Sequence, residues 1–189
     1  MVRFRPWPWV VVLAVAVIAV ATAVAVGLRG RGERPGRLES APPGPAAGPP
    51  APDFRLRAFD GRSIGLSDFA GRVVVLNFWA SWCTPCKEEM PTLERVWREF
   101  RGRGVVVLGV NVLDDRRQAE AFLQAFGITY PNVFDPGQER MLAYRVTGLP
   151  TTVFIDRQRR IRAHVAGGYL GPDGRDRLRA QILALLEAR

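Results

Sequence analysis

Apolar residues along the chain follow two kinds of pattern. Short β-branched runs with almost no charge predict buried strands, and they occupy residues 73–79, 105–111 and 151–155. Stretches with an apolar residue at every third or fourth position predict helices, and they occupy residues 84–100, 114–126 and 173–187. Because strands alternate with helices, the pattern predicts an α/β domain.

Weaker patterns complete this prediction. A short hairpin is predicted before the first buried strand, with residues 54–58 and 62–65 on either side of an Asp60-Gly61 turn. A further strand is predicted at 161–166, joined to the preceding strand by a turn at 156–159. These segments together predict a mixed central sheet flanked by helices, extended by an N-terminal hairpin.

The N-terminal part of the chain has a different composition. Residues 10–28 carry no charge and are long enough to span a bilayer as a helix, after a nine-residue flank at 1–9. A cleaved signal peptide is the rival interpretation, but the uncharged run continues past a small-residue cleavage site, which favours an uncleaved anchor. Residues 29–52 are rich in arginine and then in proline, which is typical of a semi-rigid linker. The folded domain is therefore predicted at 53–189.

The orientation of this anchor is open to two interpretations. Four arginines lie in residues 29–37, after the apolar run, and only two precede it. The positive-inside rule would therefore place the domain in the cytoplasm. The thiol chemistry described below favours the opposite side of the membrane, and we expect a single-pass membrane protein whose domain faces the periplasmic side.

The overall charge does not indicate a nucleic-acid partner. The formal net charge is +9, and every basic residue except Lys87 is an arginine. The basic residues do not form the aromatic-interleaved patch that nucleic-acid binding uses. Membrane lipid, through residues 10–28, is the partner that this part of the sequence predicts.

The chain has two cysteines, Cys83 and Cys86, where the first buried strand turns into a helix. Unpaired backbone N–H groups and the helix dipole at that end stabilise a thiolate, so the pKa of Cys83 is expected to fall. Cys86 lies one turn further along and should be more shielded. An exposed thiol of low pKa beside a second thiol is the arrangement that thiol–disulfide exchange requires.

Two other uses of this pair are less favoured. A zinc site needs four ligands, and the chain offers one histidine besides these cysteines, His164, far away in sequence. A purely structural disulfide would close too short a loop to stabilise the fold substantially.

The residues around the dithiol resemble the active site of thioredoxin-fold proteins. The chain is most similar to the TlpA/ResA/DsbE group of membrane-anchored thioredoxin-like proteins, over about residues 51–188. The segments that carry the resemblance are 51–54, 78–86 with Glu89 and Pro91, and 148–152. The resemblance implies a thioredoxin-like fold with a central helical insert. It also implies a cis-proline at Pro150 beside the dithiol, substrate backbone pairing at Leu149, and Trp82 as a partly exposed wall of the site.

One departure from cytoplasmic thioredoxin directs attention to Glu89. That family carries a buried aspartate six residues before the first active-site cysteine, where this chain has Asn77. Glu89 lies three residues after Cys86, on the same face of the predicted helix. We therefore expect Glu89 to accept the proton of Cys86 or to tune the thiol pKa values, whereas a solvated helix residue beside Glu88 is the alternative.

The resemblance implies a thiol–disulfide oxidoreductase without a bound cofactor, working through a Cys83–Cys86 disulfide. It implies a reductase of protein disulfides, with apocytochrome c as a target and a membrane thiol carrier as electron donor. Two alternatives stay open: a Sco-like copper-delivery module with His164 as a ligand, and a thioredoxin that faces the cytoplasm. A peroxiredoxin is disfavoured because Ala80 stands where that family has Thr or Ser.

Overall fold

The computed structural model describes residues 48–188, and these form a five-stranded sheet with helices packed against it. The strands are β1 (Arg55–Arg57), β2 (Ser63–Gly65), β3 (Val73–Trp79), β4 (Val105–Val112), β5 (Asn132–Asp135), β6 (Thr151–Ile155) and β7 (Ile161–Ala166). The α-helices are α1 (Thr84–Phe100), α2 (Arg116–Ala125), α3 (Glu139–Ala143) and α4 (Gly174–Glu187). Short 3-10 helices occupy Leu66–Phe69 and Arg101–Arg103.

The main sheet is mixed, and β3 lies at its centre. The strand order is β5-β4-β3-β6-β7, with β1 and β2 paired separately as a hairpin. β3 runs parallel to β4, with Val73 opposite Val105, and antiparallel to β6, with Phe78 opposite Thr151. The predicted mixed α/β sheet and N-terminal hairpin are confirmed. The helical segment predicted between the middle strands consists of α2 and α3, which flank the edge strand β5.

Side chains of β3 alternate between the two faces of the sheet, and both faces are buried. One face packs under α1, α2 and α4 and receives Val73, Val75 and Trp79. The other face packs under the N-terminal hairpin and the residues around α3 and receives Val74, Leu76 and Phe78. Because both faces are covered, the strand is apolar at almost every position, with Asn77 as its one polar residue.

The folded part of the chain begins before residue 53. Ile161 donates its backbone N–H to the carbonyl of Pro49 at 2.9 Å, and Ala51 donates to the carbonyl of Arg159 at 2.8 Å. The Tyr144 hydroxyl donates to the carbonyl of Pro52 at 2.7 Å. The last residues of the predicted linker therefore extend the sheet edge beside β7, where proline is tolerated because it lies outside the central ladder.

The predicted flank at 1–9, the predicted anchor at 10–28 and most of the predicted linker lie outside the described residues. Within residues 48–188, no helix is both long enough and apolar enough to span a membrane.

Candidate active site

The two cysteines lie where the sequence predicts, at the start of α1. Cys83 is the N-cap residue of the helix, and it forms a disulfide with Cys86. The backbone N–H of Cys86 donates to Cys83 Sγ at 3.3 Å. When the pair is reduced, this N–H and the helix N-terminus favour a negative charge on the sulfur of Cys83.

The exposure of the two cysteines corrects one expectation. Cys83 is only 4% exposed and Cys86 is 0% exposed, so Cys83 is not an exposed residue in the disulfide form. The N-cap position turns its side chain back over the first turn of the helix, toward the N–H of Cys86. Cys83 is nevertheless the more accessible of the two, as the order of the two thiols in exchange requires.

Trp82 forms an exposed wall next to the dithiol, as the resemblance implies. The residue is 56% exposed, and its indole N–H donates to the backbone carbonyl of Leu113 at 2.7 Å. Leu113 is itself 42% exposed and has a positive φ of 56°. The sequence analysis did not identify Leu113, because a left-handed leucine leaves no signal in the residue pattern.

Asp114 holds the segment that leads into the dithiol. Its carboxylate accepts hydrogen bonds from the backbone N–H of Ser81 at 2.5 Å, from the Ser81 hydroxyl at 2.8 Å and from the Asn111 side-chain amide at 2.8 Å. Sequence analysis missed this residue as well. A signal was available, because the carboxyl ends of the parallel strands β3 and β4 meet at one edge of the sheet, where ligand sites gather.

The Leu149–Pro150 peptide bond is cis, which confirms the expectation from the resemblance. Leu149 is partly buried against both apolar cores of the domain, and Pro150 is buried. The backbone N–H of Gly167 donates to the carbonyl of Pro150 at 3.0 Å, so the loop after β7 fixes the entry to β6.

Glu89 is a buried residue of the site. It is 0% exposed, whereas its neighbour Glu88 is exposed, so Glu89 is not a solvated helix residue. One carboxylate oxygen accepts from the Asn77 side-chain amide at 3.0 Å. The other accepts from the backbone N–H of Tyr169 at 3.0 Å and from the Thr152 hydroxyl at 3.4 Å. Asn77, on β3, thus contacts an acid that α1 supplies.

Burial raises the pKa of Glu89 above its ordinary value, and the three hydrogen bonds lower it by less than burial raises it. Glu89 lies one helical turn from Cys86, and both side chains are fully buried. A buried carboxyl group with a raised pKa, one turn from Cys86, is suited to exchange a proton with that thiol.

No group of three or more His, Cys, Asp or Glu side chains within residues 48–188 is arranged to hold a metal ion. His164 lies on β7, opposite Val153, and is exposed. The candidate site combines a dithiol, a buried acid, an exposed tryptophan and the cis Leu149–Pro150 peptide bond.

Comparison with known proteins places this geometry in a family. The model of the AhpC/TSA family matches residues 47–164. The chain is 39% identical over 122 residues to the thiol-disulfide oxidoreductase ResA of Geobacillus thermodenitrificans. The aligned region covers 65% of this chain and 70% of the relative. The chain is also 37% identical over 120 residues to ResA of Bacillus subtilis, and that aligned region covers 64% of this chain and 67% of the relative.

A solved structure is similar over the same region. The crystal structure of a Chlorobium tepidum protein, described as a thiol:disulfide interchange protein DsbE, has a TM-score of 0.69 and 35% sequence identity. The match covers 74% of this chain and 97% of that protein. Because one fold can host unrelated functions, this likeness shows the fold, and the chemistry follows from the dithiol and the residues around it.

Proposed function

This chain belongs to the AhpC/TSA family of thioredoxin-like proteins and is a thiol–disulfide oxidoreductase, and we propose that it reduces protein disulfides outside the cytoplasm. The observation that carries the proposal is the Cys83–Cys86 disulfide at the N-terminus of α1, with Cys83 as the more accessible sulfur. In this proposal, residues 10–28 anchor the protein in the membrane and the proline-rich linker separates the domain from the bilayer.

The reaction transfers two electrons from the dithiol to the substrate. The Cys83 thiolate attacks one sulfur of a substrate disulfide, the substrate S–S bond breaks, and the first substrate thiolate leaves. The Cys86 thiolate then attacks Cys83 Sγ in the mixed disulfide and releases the second substrate thiolate. The enzyme ends as the disulfide, and a dithiol carrier in the membrane returns it to the reduced form.

Glu89 accepts the proton that Cys86 must lose before it attacks the mixed disulfide. Three features support this role: its burial, its raised pKa and its place one turn after Cys86. A carboxylate beside a thiolate also raises the pKa of the thiol, because like charges repel in a buried site. The two groups therefore titrate as a coupled pair.

Substrate is held on two sides of the dithiol. The polypeptide that carries the disulfide pairs its backbone with Leu149, beside Pro150, and its side chains contact the exposed face of Trp82. The haem-binding cysteines of apocytochrome c are the target that we propose, on the resemblance to the TlpA/ResA/DsbE group. A backbone-pairing site suits a substrate that presents its cysteines in an extended segment.

Two cysteine variants test the chemistry. With dithiothreitol as donor and insulin as substrate, the wild-type protein is expected to accelerate disulfide reduction, and Cys83→Ala is expected to be inactive. Cys86→Ala is expected to accumulate mixed disulfides, because it can attack but cannot resolve them. Equal alkylation rates of the two thiols in the reduced protein would contradict the assigned order.

A reporter fusion tests the location. A reporter that is active only in the cytoplasm, fused after Arg189, is expected to be silent in cells that express the full chain. A matched fusion of residues 48–189, which lacks the predicted anchor, is expected to be active. A strong signal from the full-length fusion would place the domain in the cytoplasm and remove apocytochrome c as the target.

A further inference from the structure

The loop after β7 touches two parts of the active site that have separate roles. At one end, the backbone N–H of Gly167 donates to the carbonyl of Pro150 at 3.0 Å. At the other end, the backbone N–H of Tyr169 donates to a carboxylate oxygen of Glu89 at 3.0 Å. The three-residue loop 167–169 therefore connects Pro150, beside which we propose that substrate binds, with Glu89, the proposed proton acceptor.

Gly168, in the middle of this loop, lies against both groups at once. A Cβ atom at this position would lie 2.9 Å from Cγ of Pro150, 3.2 Å from Cδ of Glu89 and 3.3 Å from Oε1 of Glu89. Its φ of +78° is also one that residues with a side chain rarely adopt. Only glycine lets Pro150, the loop and Glu89 pack this closely.

We propose that Gly168 is a positioning residue that couples substrate binding at Pro150 to the protonation of Glu89. A substrate backbone that pairs beside Pro150 contacts residues 167–169, and the backbone N–H of Tyr169 in this loop donates a hydrogen bond to Glu89. Substrate bound beside Pro150 then changes the environment of Glu89 just before Cys86 must lose its proton. This inference rests on the proposed function and adds the link between its two steps.

The groups around Glu89 allow such a link to be measured. The titratable groups that face it are the phenols of Tyr130 and Tyr169 and the dithiol one turn before it on α1. Its hydrogen-bond donors among the described residues are the neutral groups named above, and none is a lysine or arginine. Within residues 48–188 the pKa of this carboxyl group is set by its burial and by these neutral donors, so a change in either one shifts it.

A pair of glycine variants separates this contact from simple backbone strain. Gly171 has a φ of +75°, close to that of Gly168, but a Cβ atom there would meet nothing within 4 Å. Gly168→Ala and Gly171→Ala therefore impose a similar backbone penalty, and only the first intrudes on Pro150 and Glu89. Gly168→Ala is expected to lower kcat/KM for insulin on the order of tenfold or more relative to Gly171→Ala, since small misplacements at a reacting centre have large effects.

The pH dependence shows whether Glu89 is involved. Gly168→Ala is expected to shift the pH–rate profile and the thiol titration relative to Gly171→Ala. In a Glu89→Gln background, Gly168→Ala is expected to cause no further shift, because the coupled group is absent. Equal profiles and equal kcat/KM for the two alanine variants would overturn the coupling while leaving the oxidoreductase function intact. An inactive wild-type protein would instead overturn the proposed function.

A second measurement applies even if Gly168→Ala does not fold. In Cys86→Ala, Cys83 is converted either to its mixed disulfide with glutathione or to its S-methyl disulfide, and the Glu89 carboxyl is titrated by NMR in each. Only glutathione carries a peptide backbone that can reach Pro150. We expect a higher Glu89 pKa in the glutathione adduct, because the peptide buries the acid further. Identical pKa values in the two adducts would overturn the coupling.

Discussion

The exchange of Asp114 for alanine tests how the dithiol is held in place. The Asp114 carboxylate accepts hydrogen bonds from the backbone and side chain of Ser81 and from the side chain of Asn111. The Asn111 amide also lies 3.5 Å from the carbonyl of Trp79, the last residue of β3. Asp114→Ala therefore removes the acceptor that fixes Ser81, the residue before Trp82 and Cys83.

The structure gives the size of the expected effect. Hydrogen bonds to a charged group contribute about 1.5–3 kcal/mol each. Asp114 accepts three hydrogen bonds from Ser81 and Asn111. Because the site is only partly buried, water can replace some of these bonds in the variant. We expect the free energy of unfolding to fall by about 2–4 kcal/mol. We also expect the alkylation rate of reduced Cys83 to change, because the preceding segment loses its anchor.

The neighbouring aspartate provides a matched control. Asp115 is the N-cap of α2 and accepts from the backbone N–H groups of Arg117 and Gln118. Asp115→Ala removes the same side chain from the next position, and the loss of an N-cap costs about 0.5–2 kcal/mol. Because its contacts lie within α2, the reactivity of Cys83 is expected to stay at the wild-type value.

Urea unfolding and thiol alkylation distinguish the two variants. Both are expected to shift the unfolding midpoint at an unchanged m-value, with the larger shift for Asp114→Ala. Only Asp114→Ala is expected to alter the rate at which iodoacetamide modifies Cys83. If the two variants lost equal stability and kept equal alkylation rates, the Asp114 contacts would not hold the active-site segment.

Three further predictions concern Glu89 and the sheet beneath it. Glu89→Gln is expected to slow insulin reduction on the order of tenfold or more. Glu88→Gln, on the exposed side of α1, is expected to change the rate little. Equal pH–rate profiles for the two variants would leave solvent as the proton acceptor. The raised pKa of folded Glu89 means that the folded protein keeps this proton to a higher pH than the unfolded chain does. Wild-type stability should therefore fall relative to Glu89→Gln as pH rises above about 4.3, the ordinary glutamate pKa, and a constant difference in urea midpoints would contradict this. Gly109→Ala would place a methyl group onto the Asn132 side chain and 2.9 Å from Nε1 of Trp79. The free energy of unfolding of this variant should therefore fall by about 3 kcal/mol. An unchanged urea midpoint would refute the packing argument.

The local elements of the domain could be predicted from the sequence. β3 and α1 appear within a residue of their predicted ends, because their patterns repeat over distances that one strand or one helix spans. The position of the dithiol follows from the same two elements. The cis bond before Pro150 was implied by resemblance, since a proline at a strand entry is compatible with either isomer.

The tertiary structure decided which side chains these elements bring to the dithiol. Glu89 and Glu88 are adjacent in sequence, yet one is buried and the other exposed, because the rotation of α1 on the sheet turns Glu89 toward Asn77 and Tyr169. Asn77 and Tyr169 lie far from each other along the chain, on β3 and in the loop after β7, so no local pattern could join them.

The same holds for the contacts of Trp82 and Gly168. Leu113 meets Trp82 only because β4 runs parallel to β3 and ends beside it. Gly168 meets Pro150 and Glu89 only because β7 pairs with β6 and returns the chain to the active-site end of the sheet. A sequence pattern records the periodicity of one element, so it predicted the strands, the helices and the position of the reactive pair, whereas the thioredoxin-like fold was implied by the resemblance. The surroundings of that pair depend on the pairing of distant strands, which only the folded chain establishes.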